Sequence, residues 1–327
     1  MRPTRVTEVL KELIKSPWPV FVWGPPGVGK SSIVADVARD LDMGLIDIRA
    51  SLLDPTDLRG IPAIKDGLAI WSPPAFLPHD KDSSGLLFFD ELNAAPPLVQ
   101  ASLYQLTLDR RIGEYELPDG WRIVGAGNRA VDASIVFRMP AALSNRFVHV
   151  DYEVNTDDWV NWAATNRVHP LVISFIRLRR ELLFDMSQPD RAFPTPRTWE
   201  MASDALKSFG TPKEAEDVLL GIVGEGAAME FLGFCDNAIT EEAVKAIIEN
   251  PDKAKLPSEL GQLYALVSYI AETAQDSTVV QAAGVLLGRL NPEFGVLLAR
   301  DVLVSNPGFV SDGGYKKFVK KHASLLA

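Results

Sequence analysis

The chain has 327 residues, a length that suits about two domains; 47% hydrophobic and 23% charged residues supply a sizeable core and exclude a disordered polymer. Its formal net charge of -10 repels phosphate backbones and disfavours a general nucleic-acid binder unless a local basic patch overcomes the field. The single cysteine, Cys235, excludes an intrachain disulfide and, lying in an apolar run, reads as a small buried hydrophobe in a reducing compartment.

The chain opens on Met1-Arg2-Pro3-Thr4-Arg5 and an amphipathic stretch carrying Glu8, Lys11, Glu12 and Lys15, a pattern unlike a signal peptide. No later run reaches the roughly 20 apolar residues that span a bilayer, so the expected address is cytoplasmic, with no membrane span. Short apolar runs then alternate with helical spacing. Strands are expected over 19–23, 45–48, 86–89, 121–125 and 147–150, with a helix from Ser31 to about Leu41. Continuous apolar runs suit a parallel sheet buried on both faces, and the alternation argues for an α/β layer fold. After about Glu153 the texture turns helical, over 157–166, 171–184, 196–208, 214–223, 241–248, 260–274, 279–290 and 294–304. The expected division is an α/β core over 1–153, a helical lid over 154–250 and a helical C-terminal extension over 251–327.

Two motifs carry chemistry. Gly24-Pro25-Pro26-Gly27-Val28-Gly29-Lys30-Ser31, followed by Ser32, is a P-loop between a predicted strand and a predicted helix. Its glycines let backbone N–H groups approach phosphates, and the helix directs its positive end at the same anion. Lys30 is placed to reach the β- and γ-phosphates of ATP, and the Ser31 hydroxyl to ligate Mg²⁺. About sixty residues on, Leu86-Leu-Phe-Phe-Asp90-Glu91 is an apolar strand ending in two carboxylates. Side chains on consecutive strand residues point to opposite faces, which divides two jobs: Asp90 for the metal, Glu91 for the attacking water.

In this order GPPGVGKS, LLFFDELNAAPPLVQASLYQL, DRRIGEYELPDGWRIVGAGNR, MPAALSNRFVHVDY and TPRTWE resemble the MoxR family of AAA+ ATPases over most of residues 15–200. The resemblance implies an AAA+ P-loop core with a parallel five-stranded sheet. It also implies that Asn128 is sensor 1, that Arg146 is an arginine finger completing a neighbouring subunit's site, and that Arg197 is sensor 2 on a lid helix. Read from the residues alone, Asn128 could cap a strand end, Arg146 could be a surface arginine, and Arg197 could pair with Glu200 at i, i+3. The segment 54–78, with a hairpin turn at Lys65-Asp66-Gly67-Leu68, resembles the pore-facing insert of that clade, and 110–120 resembles the hairpin before sensor 1. Either could grip a client or pack against a neighbouring subunit.

The leading expectation is a hexameric ring of ATPase subunits that remodels a protein client with a separate von Willebrand factor A domain protein. The alternatives are a nucleic-acid motor or defence-system nucleotidase, and a nucleotide switch that hardly hydrolyses. Acidic residues in both loops (Asp54, Asp57, Asp66, Glu114, Glu116, Asp119) oppose the former, although Arg59, Lys65, Arg110 and Arg111 leave room for it. The intact Lys30, Asp90 and Glu91 oppose the latter. The four histidines show no metal-ligand spacing with the cysteine.

Overall fold

All five apolar runs become strands of one sheet in the computed structural model, which describes residues 1–132, 137–187 and 191–322. In chain order the strands are β1 (Val20–Trp23), β2 (Gly44–Arg49), β3 (Ile61–Lys65), β4 (Leu68–Ser72), β5 (Ser84–Asp90), β6 (Arg111–Ile112), β7 (Tyr115–Glu116), β8 (Gly120–Gly127) and β9 (Val148–Asp151). The main sheet has the order β2-β5-β8-β1-β9, with every neighbouring pair parallel. Helices α1 (Pro3–Leu13), α2 (Lys30–Asp40), α3 (Pro55–Arg59), α4 (Pro97–Asp109) and α5 (Ala141–Ser144) accompany it. This is the parallel α/β layer fold expected from the alternating pattern, with the five strands that the resemblance implies.

Burial follows position in the sheet. Every residue of β5 from Gly85 to Asp90 is buried, as is β8 from Ile123 to Gly127, because helices cover both faces of a parallel sheet. The edge strands differ: only Ile48 of β2 and Val150 of β9 are buried. Phe21, Leu87, Phe89, Leu92, Val99, Leu103 and Ile123 form one continuous core on one side of the sheet. Each such side chain contributes roughly 1.5–3 kcal/mol on burial, which fixes the strand register on which the site depends.

Both hairpins lie outside this sheet. The β3–β4 ladder runs from Ile61 opposite Ser72 to Lys65 opposite Leu68. Asp66 (φ 54°) and Gly67 (φ 79°) make the turn in the left-handed region, as a two-residue hairpin of this type requires. The β6–β7 hairpin pairs only Arg111 with Glu116 and Ile112 with Tyr115.

The chain divides into two compact units, Met1–Val154 and Asn155–Ala327, and the helices after residue 250 belong to the second; residues 323–327 of the expected extension lie outside the described residues. The second unit contains α6 (Thr156–Thr165), α7 (Pro170–Leu178), α8 (Pro196–Phe209), α9 (Glu216–Val223), α10 (Glu225–Asn237), α11 (Glu241–Glu249), α12 (Leu260–Thr273), α13 (Ser277–Leu286), α14 (Pro292–Ser305) and α15 (Gly313–Lys321). Its helix starts are chemically marked. Asn155, Thr195, Thr240, Asp276, Asn291 and Asp312 each accept a backbone N–H of the first turn. Phe175, Trp199 and Phe231 pack with ring centroids 5.2–5.6 Å apart at its centre.

Two differences from the sequence-based expectation have physical causes. The helix expected over 171–184 stops at Leu178. Arg179 leaves helical geometry (φ −119°, ψ 67°), with its guanidinium 2.7 Å from Glu181 and 2.6 Å from Glu230, and a 3-10 turn follows. The unexpected α10 contains Gly226 and Gly233, which weaken its intrinsic propensity; burial of Ala227, Ala228 and Phe231 overrides that.

Candidate nucleotide site

Register assembles the site. Trp23 lies opposite Gly127 in the β1–β8 ladder, so Gly24 and Asn128, the next residues, leave the sheet side by side. Gly24 N donates to Gly127 O at 3.2 Å. Phe89 lies opposite Gly125 across β5 and β8, and Arg49 lies opposite Asp90 across β2 and β5. The carboxyl ends of four strands thus deliver the P-loop, Asp90, Asn128 and Arg49 to the crevice where open α/β sheets bind ligands.

The P-loop follows β1 directly and ends where α2 begins. Gly27 (φ 73°) and Gly29 (φ 98°) adopt conformations that a side chain resists, and Gly29 is the residue before the first turn of α2. The buried Lys30 folds back over the loop, and its ammonium donates to Gly24 O, Pro25 O and Asn128 Oδ1, each at 2.8 Å. Ser31 Oγ donates to Asp90 Oδ2 at 2.8 Å. Tyr152, just beyond β9, props the loop by donating from its hydroxyl to Val28 O at 2.8 Å. Sequence reasoning missed that brace, because nothing in the spacing links residues 28 and 152.

Asp90 and Glu91 do divide their directions, but not by strand pleat. β5 ends at Asp90, and Glu91 takes a left-handed backbone (φ 53°, ψ 33°) that turns the chain into a 3-10 segment at Leu92–Ala94. Asp90 Oδ1 accepts the Glu91 N–H at 2.9 Å. Glu91 Oε2 accepts from Ser51 Oγ at 2.6 Å, and Oε1 lies 3.8 Å from the Arg49 guanidinium. Neither Ser51 nor Arg49 was legible as a site residue. Burial, and then the Asp90 charge, push the Asp47 carboxyl above the usual carboxylate range, while Arg49 opposes the shift.

The expected arginines lie on other elements. Arg146 follows α5, donates from Nη2 to Tyr104 Oη at 3.1 Å and holds its guanidinium carbon 5.5 Å from the Tyr104 ring, which ties it to α4. Its Nε is buried without a partner among the described residues. Arg197 is exposed in the first turn of α8, in the second unit. Arg110 is structural, donating to Pro118 O at 2.8 Å and Trp121 O at 3.0 Å, and Arg111 pairs with Glu116 at 2.6 Å. Cys235 is only half-buried, and burial followed by the charge of Asp236 pushes its thiol up to about 12, far from a reactive thiolate.

A P-loop whose lysine meets a strand-end amide, beside a Ser–Asp pair and an adjoining glutamate, stands on the AAA+ P-loop fold. Residues 19–147 match the AAA domain family (dynein-related subfamily), in keeping with the P-loop fold of the first unit. Over 156 residues, 45% of the chain, the sequence is 31% identical to midasin from Giardia intestinalis, yet that stretch spans only 3% of midasin's length. Among solved structures, NtrX from Brucella abortus in complex with ADP is 12% identical, with 99% of this chain and 68% of that one covered and a TM-score of 0.44. A RuvB mutant from Thermotoga maritima is 16% identical, with 86% and 85% covered and a TM-score of 0.42. No described helix is long and apolar enough to cross a membrane.

Proposed function

We propose that this chain is a MoxR-like AAA+ subunit that hydrolyses ATP with Mg²⁺ in a hexameric ring and uses the cycle to remodel a protein client. The observation that carries the reading is the convergence of Lys30, Ser31, Asp90, Glu91 and Asn128 at the ends of adjacent strands. Backbone N–H groups from Gly27 to Ser32 cradle the phosphates, with Lys30 exchanging its loop carbonyls for phosphate oxygens. The residues fit the metal: Ser31 and Asp90 present hard oxygen donors 2.8 Å apart, the ligand type Mg²⁺ accepts alongside phosphates. Bound there, Mg²⁺ supplies charge neutralisation for the transferring phosphoryl group. Glu91 orients and deprotonates the attacking water, and Asn128 positions it.

Arg146 is the proposed finger, reaching a neighbouring subunit's nucleotide after leaving Tyr104; such a cation is worth roughly 10³–10⁵ in rate. Arg197 is the proposed sensor 2, on a lid formed by 154–250, with 251–327 as its extension. The β3–β4 hairpin supports a protein client over a nucleic acid. It exposes Ile61, Ile64 and Leu68, at 74%, 85% and 69%, and apolar surface on that scale suits contact with another protein. A separate von Willebrand factor A domain protein is the proposed partner.

The test begins with ATP binding by calorimetry, steady-state turnover with and without Mg²⁺, and sedimentation with nucleotide. Mg-dependent turnover that rises with assembly, and drops in assembled Arg146→Ala, is expected. Folded protein that ignores ATP would sink the reading. Affinity purification on a Glu91→Gln trap then distinguishes the clients: a recovered protein supports remodelling, and turnover stimulated by DNA in a steeply salt-dependent way replaces it with a motor.

A further inference from the structure

One buried polar side chain beside the site has a geometry that the roles above do not use. Asn93 sits in the 3-10 segment two residues after Glu91 and is 3% exposed. Its Nδ2 donates to the backbone carbonyl of Asn128 at 2.7 Å. Only the amide nitrogen can donate to a carbonyl, so the orientation of the Asn93 amide is fixed by its partner. The Oδ1 on the other side is buried, with no partner among the described residues. It faces Gly127, where an added Cβ would lie 2.1 Å away, so the side chain lies flat against the last residue of β8. The Asn93 carbonyl accepts the Phe137 N–H at 2.7 Å, so the same residue also holds the chain that returns after Asn128.

A buried amide with half its hydrogen-bonding capacity unused costs stability compared with an apolar residue of the same shape. The turn itself does not require it, because Ala94 N to Glu91 O at 2.9 Å and Ala95 N to Leu92 O at 3.2 Å close that turn through backbone. What Asn93 adds is a direct link between two groups that must act together. The segment that aims Glu91 is bonded to the residue that meets Lys30 Nζ through Asn128 Oδ1 at 2.8 Å.

We infer that Asn93 is a positioning residue for hydrolysis: its amide holds the Asn128 backbone in place, so that the Asn128 side chain and Glu91 keep one fixed relation. It touches neither phosphate nor water and acts through Asn128. This rests on the ATPase reading for its consequence, though not for its geometry. Asn93→Leu keeps the volume and removes the donor, and Asn93→Asp puts an acceptor against a carbonyl.

The decisive experiment is a double-mutant cycle on turnover, with ATP affinity measured in parallel. Expected are a fall in kcat of tenfold or more in Asn93→Leu, an ATP dissociation constant within threefold of the parent, and no further fall when Asn93→Leu is added to Asn128→Ala. Unchanged kcat, or additive losses in the double variant, overturns the inference, as does a KM effect without a kcat effect. Asn93→Asp, closer in shape, replaces the leucine variant in the same cycle, with the same expected losses, if the leucine variant folds poorly. A second measurement needs no turnover: in nucleotide-free protein with labelled asparagine, the Asn128 side-chain amide resonance must move in Asn93→Leu or Asn93→Asp. If the parent does not hydrolyse ATP the functional proposal fails by itself, and the resonance still decides whether Asn93 places Asn128.

Discussion

The two units spend their buried polar groups differently. In the first, three buried polar side chains lie where strands end: Lys30, Asp90 and Asn93 are 8%, 7% and 3% exposed, with Lys30 and Asn93 both bonded to Asn128 and Asp90 accepting from Ser31. In the second they lie between helices. Arg177 pairs with Asp301 and donates to Ser268 Oγ at 3.2 Å, while Ser174 donates to the same hydroxyl at 3.0 Å. Those groups are closed onto one another, whereas Lys30 is held by carbonyls and an amide oxygen that a phosphate can replace. Burial of a charge therefore marks chemistry only where the partners are exchangeable.

The largest effect separates the units most sharply. On the proposed role of Glu91, Glu91→Gln lowers ATP turnover by roughly 10²–10⁴ while leaving ATP affinity and unfolding unchanged, because the amide retains an acceptor for Ser51. Coupled-assay turnover and calorimetry check it. Next, Asp301→Ala strands Arg177 in the helical core and costs about 3–5 kcal/mol in denaturant unfolding. The apolar pair Arg177→Met with Asp301→Leu recovers most of that loss. Failure to recover would mean that the pair has a role beyond packing.

A smaller effect tests the second unit by pH. His169 Nδ1 accepts the Leu171 N–H at 3.2 Å at the start of α7, a bond only the unprotonated nitrogen can make. Burial, followed by repulsion from Lys207, lowers its pKa from 6.5 to about 4. The unfolded chain thus takes up a proton first as pH falls, so stability is fully present above 6.5 and declines between 6.5 and 4. The expected loss is about 2 kcal/mol between pH 7 and 5. His169→Asn, which can still cap the helix, should remove that slope, measured as the difference between the two proteins' unfolding curves.

What the sequence displayed and what it hid follow the same division. Apolar runs announced β1, β5 and β8 because strands buried on both faces tolerate little else, and the Asp66-Gly67 turn was visible because its backbone needs residues that accept positive φ. Lys30, Ser31 and Asp90 were legible from local motifs, and the structure brings them together. Ser51, Asn93 and Tyr152 were hidden because their relevance is created by register: residues far apart in the chain become neighbours only after the sheet forms. Arg146 and Arg197 were named by resemblance alone; the first is bonded to Tyr104 on α4, and the second belongs to α8 of the other unit.

The smallest predicted effect sharpens the contrast within the site. Ser51 Oγ donates to Glu91 Oε2 at 2.6 Å, and Arg49 lies 3.8 Å from Oε1, so both oxygens of the proposed base are engaged. Lone pairs engaged in this way must be released before Glu91 can take a proton from water. One such bond at a partly exposed group is worth about 1 kcal/mol net, which converts to roughly fivefold in rate. Ser51→Ala should accordingly raise basal ATP turnover about fivefold, with ATP affinity unchanged. Lowered turnover would instead make Ser51 part of what aims Glu91, and the strand-end groups would then need each other as tightly as Arg177 needs Asp301. Measuring both constants in Ser51→Ala and Ser51→Thr separates the cases, since threonine keeps the hydroxyl and should stay close to the parent.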